Sequence, residues 1–463
     1  MRTHIFEPFI KYLIRNEIFT ILFLLVRINL KERKIDGSDS IFHSSSNGKK
    51  TILALDSLRY REDLDALSKH FRVLHLTQKA PGWLIKEFYN EFDIAKFINA
   101  SNISAKKRQY IAASNFMTRF LKKFYSIISV DCVTTVNFRY TEDHHWVKSS
   151  VEVGIPHIML YREGLLTYYR AEYNLFYRLK RFGKFLGSHI IVHNEKSKNI
   201  FLKSEFVSKN DISVAGALRM DKLVTRVNNV SKHNKIKKNK QVTLFYFHPN
   251  MPLFGVNAKG VVPKGYLSRK PEKDLSYAFE AWGGRYDLFY DVHETIIKLA
   301  YKYKDIDFIV KPKDIMVNSS QWKYYDMAVE KSEVDVSSLE NYSIEPYSDV
   351  HDLIFSSDVV CAMNSSTALE SAFIGKPVIM PVFKEYRDCK NFEDFHWKDD
   401  LSLFDVADDK YDFERLILQR LNDGSISKRT IEARKELFYK YFDQPKEGAL
   451  HKYVTTINSV INR

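Results

Sequence analysis

Short β-branched and apolar runs recur along the chain, each followed by a segment of helical or loop character. The first series is "TILALDS" (51–57), "RVLHLT" (72–77), "IISVDCVTTV" (127–136), "IPHIMLY" (155–161), "HIIVHN" (189–194) and "ISVAG" (212–216), with a long charged helical region over about 84–126. A second series starts at "VTLFYF" (242–247). It continues through a helix around 291–303, "IDFIVKP" (306–312), a helix near 321–332, "YSIEP" (342–346), "VVCAM" (359–363), a helix, and "PVIMPV" (377–382). Strands that alternate with helical stretches indicate parallel β/α units. No short-period repeat is visible, but the two series repeat one architecture.

Between the series, "VSKHNKIKKNK" (230–240) has few apolar residues and no period, which marks an interdomain linker. The expected fold is α/β: two Rossmann-like β/α/β domains facing a cleft, with an N-terminal amphipathic helix and C-terminal helices. The expected boundaries are 1–48 for the N-terminal segment, 49–230 for the first domain and 231–241 for the linker. The second domain covers 242–410 and the C-terminal helices 411–463. A chain of 463 residues is long enough for two cores, and 45% apolar with 28% charged residues is a globular composition.

The formal charge of +14 favours anionic partners, and much of it sits in the N-terminal segment, Arg178 to Lys184, and Lys232 to Lys240. No arginine-rich helix with base-reading spacing stands out, so nucleic acid is not an expected partner. Three cysteines (Cys132, Cys361, Cys389), far apart and without a CxxC pair, argue against a zinc ribbon or disulfide framework and fit a reducing cytoplasm. Near the start, "IFTILFLLVRI" (18–28) is flanked by Lys11, Arg15, Arg27, Lys31, Arg33 and Lys34. Its uncharged core, Ile18 to Val26, is far short of the roughly 20 residues a spanning helix needs. Two readings stay open: a helix lying in the membrane interface, held by basic flanks, and a packed terminal helix.

The stretch "SSDVVCAMNSSTALESAFIGKPVIM" (356–380) carries the candidate chemistry. An apolar strand stops at Asn364-Ser365-Ser366-Thr367, and Ala368 to Phe373 reads as a helix. In open parallel sheets ligands bind beyond the strands' C-terminal ends, and helix N-termini suit phosphate. Ser365, Ser366 and Thr367 would meet a phosphate and Glu370 a ribose diol. The alternative is an ordinary capping box of Ser or Thr with a first-turn glutamate. Lys311 and Lys313 in "KPKD", Glu345 and His248 end neighbouring strands at the same sheet edge, where the lysines would neutralise a leaving phosphate. The alternative for the lysines is solvated loop charge.

The second half resembles the nucleotide-binding domain of GT-B glycosyltransferases, in particular those that make bacterial capsule, lipo-oligosaccharide or teichoic-acid polymers. The carriers are the strand, Ser-rich turn, helix and "GKPVI" order, together with "FIVKPKD", which resembles the "KPHP" segment of bacterial sialyltransferases and polyol-phosphate polymerases. "VAGALRMDKL" (214–223) resembles the "TGxPRxD" segment of related sugar-nucleotide proteins. The likeness covers about 120–390, most firmly 306–382. Lys313 stands where "KPHP" has its histidine, a departure from the pattern. "IMLYREGLLTYY" resembles the acidic-acidic-Gly motif of sialyltransferases with only the second acid kept, as Glu163. The resemblance then implies that Glu163 is the base on an acceptor hydroxyl; a strand-end ion pair around Arg162 and Glu163 is the structural alternative.

The resemblance implies an inverting, metal-independent transferase. Its donor is a nucleotide-sugar, its acceptor a glycan or glycolipid, and it uses no cofactor. The cytoplasmic location expected rests on the cysteine pattern, and peripheral membrane contact on the interface reading of the N-terminal helix, which stays open. A phosphotransferase using a CDP-activated polyol, a non-hydrolysing epimerase with more acids in its cleft, and a non-catalytic scaffold protein are the rivals. Metal is disfavoured because Asp63-Leu64-Asp65 and Asp305-Ile306-Asp307 do not end strands, and Glu142-Asp143-His144-His145 reads as a loop.

Overall fold

The computed structural model describes residues 3–41, 48–76, 82, 84–85, 87–89, 94–139, 141–229, 239–245, 276–312, 322–388, 392–393 and 395–463. The chain forms two units. One comprises Met1–Leu166, Glu172–Asn228 and Tyr441–Arg463; the other comprises Thr167–Ala171 and Asn229–Lys440. Both are Rossmann-like α/β units.

The first unit holds an eight-stranded sheet. In chain order its strands are β1 (Lys31–Arg33), β2 (Asp39–Ile41), β3 (Thr51–Ala54), β4 (Arg72–His75), β5 (Cys132–Thr135), β6 (His157–Leu160), β7 (His189–Val192) and β8 (Ile212–Val214). The spatial order is β2-β1-β4-β3-β5-β6-β7-β8. Strands β3 to β8 are parallel to their neighbours, whereas β1 joins β4 antiparallel and β2 joins β1 antiparallel.

Alternation along the strands sends neighbouring side chains to opposite faces, as the pleat requires. Leu53, Leu74 and Val133 enter one core with Leu22, Phe23, Phe116 and Phe120 from helices Phe19–Asn29 and Ala105–Ile127. Ile52, Val73 and Cys132 enter the other with Leu64 and Leu67 of helix Arg61–Ser68 and Tyr453 and Ile457 of helix Leu450–Ile461. The N-terminal hydrophobic run is therefore a packed element. Phe19 meets Phe116 at 5.6 Å between ring centroids, and Phe23 meets Phe124 at 5.8 Å.

The pattern at 31–41 did not announce strands, because the residues are charged. Arg33 is buried between Asp65 (2.5 Å) and Asp39 (2.8 Å), and Arg72 of β4 binds Glu32 at 2.9 Å. These pairs give the antiparallel edge its register. Asp63 takes Nε of Arg162 at 3.2 Å, so both carboxylates of the Asp63-Leu64-Asp65 string serve structural arginines. The Glu142–His145 cluster lies not in a loop but in helix Thr141–Glu152. There His144 Nε2 pairs with the Tyr110 hydroxyl at 3.0 Å, and His145 contacts Tyr89 and, at 3.2 Å, Ser114.

The segment resembling "TGxPRxD" binds the end of the chain. Asp221 Oδ1 accepts from the Ala449 amide at 2.7 Å and Oδ2 from the Leu450 amide at 2.9 Å, capping helix Leu450–Ile461 from outside it. The Ala217 amide donates to Gln444 Oε1 at 3.1 Å, and Asn194 donates to Tyr441 O at 2.7 Å. Tyr441–Arg463 thus completes the first unit rather than the second.

The second unit has a six-stranded, all-parallel sheet of β9 (Lys240–Phe245), β10 (Ile306–Lys311), β11 (Tyr342–Ile344), β12 (Val359–Ala362), β13 (Val378–Pro381) and β14 (Asp405–Ala407), in the order β11-β10-β9-β12-β13-β14. Helices Ser276–Lys302, Lys323–Ser332 and Lys410–Asn422 accompany it.

Burial keeps several histidines neutral. Desolvation pushes His157 and His293 down to about 3 and His189 to about 4, with nearby Arg463 adding to the effect at His189; His145 is also driven well below its usual range. The unfolded chain protonates these rings near pH 6.5 and the folded one does not, so stability is present above pH 6.5 and is lost as pH falls. Each such ring costs about 1.4 kcal/mol per pH unit inside that window. A series of thermal melts is therefore expected to show Tm falling from about pH 6.5, above the carboxylate range, with unfolding before pH 4. A flat Tm between pH 7 and 5 would contradict the buried, neutral assignment.

Candidate active site

In the second unit the strand order reverses between β9 and β12. The chain runs outward from β9 to β10 and β11, then returns to β12 on the other side of β9. Crevices at such switch points, beyond the strands' C-terminal ends, are where open α/β sheets bind ligands. The Asn364–Thr367 turn leaves β12 at that place, with Ala362 registered against Phe245 of β9.

Asn364 has φ +24°, a left-handed conformation that asparagine tolerates better than most residues. Its Oδ1 accepts from the His396 amide at 2.7 Å, which fixes the turn. Ser365 is the N-cap of helix Ser366–Phe373 and accepts from the Thr367 amide at 3.3 Å; the Thr367 hydroxyl donates to Ser365 Oγ at 2.9 Å. Ser365, Ser366 and Thr367 are half-buried, at the end of the helix where amide N–H groups point out of the fold. The capping box weighed from the sequence does not form. Its third helical position is Ala368, and Glu370 lies a further half-turn along.

Glu370 is buried, 2% exposed, and its Oε2 lies 3.3 Å from His351 Nε2. In this arrangement its carboxylate serves that contact. Lys311 is also buried, and its ammonium donates to Pro312 O at 2.8 Å and Pro346 O at 2.9 Å, so it is not the solvated loop charge of the alternative reading. Glu345 accepts from the Ser348 hydroxyl at 2.7 Å. A line of contacts therefore joins the loops after β10, β11 and β12: Lys311 to Pro346, then through the start of helix Val350–Ser356 at His351 to Glu370. His248 and Lys313 lie outside the described residues, as do residues 231–238 of the expected linker.

The "GKPVI" lysine has a structural task. Lys376 donates to Phe355 O at 3.0 Å and Ser357 O at 2.6 Å, closing the C-terminal end of helix Val350–Ser356. His396 is a site residue that the sequence pattern did not flag. Its Nδ1 is 2.6 Å from Thr167 Oγ1, its ring is tilted against Tyr168 at 5.2 Å, and burial lowers its pKa to about 4, so it is a neutral hydrogen-bonding group. Lone histidines in loops without periodicity give no sequence signal.

In the first unit the corresponding reversal falls between β3 and β5. Asn137 and Arg139 follow β5, and Glu163 follows β6. Asn137 Nδ2 donates to Glu163 Oε1 at 3.0 Å, and Arg139 pairs with the same oxygen. The Glu163 side chain is 48% exposed, so a carboxylate with two donors stands open at the sheet's C-terminal edge. Arg162 turns the other way, to Asp63 and Glu62 at 3.2 Å each. The strand-end ion pairing of the structural alternative is thus present at both residues, in two separate networks. Gly164 lies in close approach to the neighbouring strand end: a Cβ there would lie 3.2 Å from the His193 Cβ, a tight contact.

No family model matches the chain, and no curated protein sequence matches it. Solved structures give distant likenesses. A putative UDP-N-acetylglucosamine 2-epimerase from Listeria monocytogenes aligns over 90% of this chain and 97% of its own, at 12% identity and a TM-score of 0.48. The wall teichoic acid polymerase TagF aligns over 93% and 91%, at 13% identity and 0.47. A UDP-GlcNAc 2-epimerase from Neisseria meningitidis, bound to UDP-GlcNAc, aligns over 88% and 100%, at 13% identity and 0.44. The fold assignment stands on the strand order and pairing of the chain itself.

Proposed function

We propose that the chain is an inverting, metal-independent GT-B glycosyltransferase that moves a sugar from a nucleotide-sugar donor to a surface polysaccharide or glycolipid acceptor. It would act in the cytoplasm with peripheral contact to the membrane. The observation that carries the reading is the Asn364–Thr367 turn: small hydroxyl residues at a helix N-terminus, at the switch point of an all-parallel sheet. In this reading the second unit holds the nucleotide, with its phosphate on Ser365, Ser366 and Thr367. Glu163 of the first unit takes the proton from the attacking acceptor hydroxyl. The bond from the anomeric carbon to the donor phosphate then breaks as the bond to the acceptor oxygen forms, and the nucleotide leaves with the electron pair. Displacement of this kind needs a base on the nucleophile and charge stabilisation on the leaving group.

A thermal-shift screen of CMP, CDP, UDP, GDP and TDP tests the donor site. A nucleotide that binds only the folded state, present at 100 times its Kd, adds about 2.7 kcal/mol and raises Tm by several degrees. Ser366→Asp is expected to abolish that shift, because its carboxylate repels phosphate, while leaving the ligand-free Tm unchanged, since an acid at a helix N-terminus suits the dipole. If none of the five moves Tm, the donor site is misassigned. A response to CDP, with turnover of a CDP-activated polyol, would instead favour the phosphotransferase.

A further inference from the structure

The N-terminal helices have two apolar faces, and the core uses only one. In helix Phe19–Asn29, Leu22, Phe23 and Val26 are buried, whereas Ile21, Leu24 and Ile28 are 37%, 47% and 72% exposed. Positions 21, 24 and 28 follow the i, i+3, i+7 spacing of one helical stripe, opposite the buried one. Helix Thr3–Arg15 repeats the pattern, with Ile10, Leu13 and Ile14 buried and Phe9 and Tyr12 exposed. Five large apolar side chains thus remain on the outside of one helical pair, more than scattered surface residues account for.

Charge selects the partner. Exposed Arg15 and Arg27 flank the stripes, exposed Lys34 follows them, and exposed Lys122 and Lys123 lie on helix Ala105–Ile127, with Lys123 Nζ 3.2 Å from Thr20 Oγ1 of the apolar helix. Helix Phe19–Asn29 carries no acid. Glu17, two residues before that helix, is paired with Arg119, and Glu87 with Lys11 at 3.5 Å. Two copies of this chain meeting face to face would bring together two surfaces of the same positive sign, which disfavours a symmetric dimer. No helix among the described residues is long and apolar enough to cross a membrane.

We propose that the outer face of the two N-terminal helices docks onto an anionic lipid bilayer. Phe9, Tyr12, Ile21, Leu24 and Ile28 enter the headgroup and acyl boundary, and the basic side chains pair with lipid phosphates. The inner face stays in the protein core, so the same helices both build the first unit and seat it on the membrane. The sequence left two readings of this segment as alternatives; the structure allows both at once, on opposite faces. Interfacial helices bind by buried apolar area plus attraction to anionic lipid. The proposal deepens the peripheral-membrane part of the proposed function and rests on it.

The test is flotation of the full chain with vesicles of phosphatidylcholine containing about one third phosphatidylglycerol, against pure phosphatidylcholine, with Leu24→Glu/Ile28→Glu as the variant. The wild-type chain is expected to float with the anionic vesicles and the variant to lose at least tenfold in partitioning, with no loss of Tm because both positions are exposed. Wild-type protein that stays at the bottom of the gradient overturns the proposal. So does a variant that floats equally well, or a wild-type dimer that the variant dissolves, which would make the face a contact between copies. The nucleotide screen, run on both proteins, keeps the two readings apart: a missing shift in both condemns the donor site and leaves the flotation result standing.

Discussion

Glu163→Gln is expected to lower donor-dependent turnover by roughly 10²–10⁴-fold, the usual contribution of a positioned base, while Tm stays almost unchanged. The two effects separate because of where Glu163 stands. Its side chain is half exposed and its partners, Asn137 and Arg139, are donors that an amide oxygen still satisfies. An exposed ion pair contributes about 0–1 kcal/mol. Loss of activity with an intact melt therefore reports chemistry and not folding. The fall should appear in kcat at saturating donor and acceptor, because the base acts in the transition state. Full activity in the variant would remove Glu163 from the mechanism and leave the donor site untouched.

Gly216→Val is expected to be strongly destabilising, because it combines a left-handed backbone with a clash against backbone. Gly216 has φ +90°, and a Cβ there would lie 2.8 Å from Pro445 Cδ and 2.9 Å from the Asp443 carbonyl oxygen. The left-handed backbone costs an L residue roughly 1–2 kcal/mol, and forcing atoms into occupied space about 1–3 more. Gly375→Ala is the control. It shares the positive φ (+83°) but meets nothing closer than Ile431 Cδ1 at 3.8 Å, so it pays for the backbone alone. Melting curves should rank wild type above Gly375→Ala above Gly216→Val, and limited proteolysis should cut the Gly216 variant first near 443–449. Equal Tm values for the two variants would show that the tail yields without cost.

The alternation of apolar runs was sufficient to place eleven of the strands, because parallel strands buried on both faces read as continuous β-branched stretches. It missed β1 and β2, where Lys31, Glu32, Arg33 and Asp39 hold an antiparallel edge by ion pairing rather than by apolar burial. It also missed β14, whose Asp405-Val406-Ala407 is followed by Asp408 and Asp409 and carries no β-branched apolar run. Within the candidate site, the turn from Asn364 to Thr367 was legible because a strand, a capping residue and a helix follow one another in sequence. Partners supplied by separate loops were not. Nothing local ties Asn137 to Glu163, Pro346 to Lys311, His351 to Glu370, or His396 to Asn364. The sequence marked Glu370 and Lys311 as ligand groups by position alone, and it could not show that both are buried and engaged with His351 and with carbonyl oxygens.

The capping of helix Leu450–Ile461 by Asp221 has a consequence for biosynthesis. The first unit needs Tyr441–Arg463, and those residues are translated only after every strand of the second. The second unit can close on itself as it emerges from the ribosome, while the first waits with the face that receives Tyr453 and Ile457 uncovered. The domain made first is thus finished last. Its unfinished surface is the natural substrate for a chaperone during synthesis, and nascent chains stalled before residue 441 should be held by one, whereas chains that include the tail should be released.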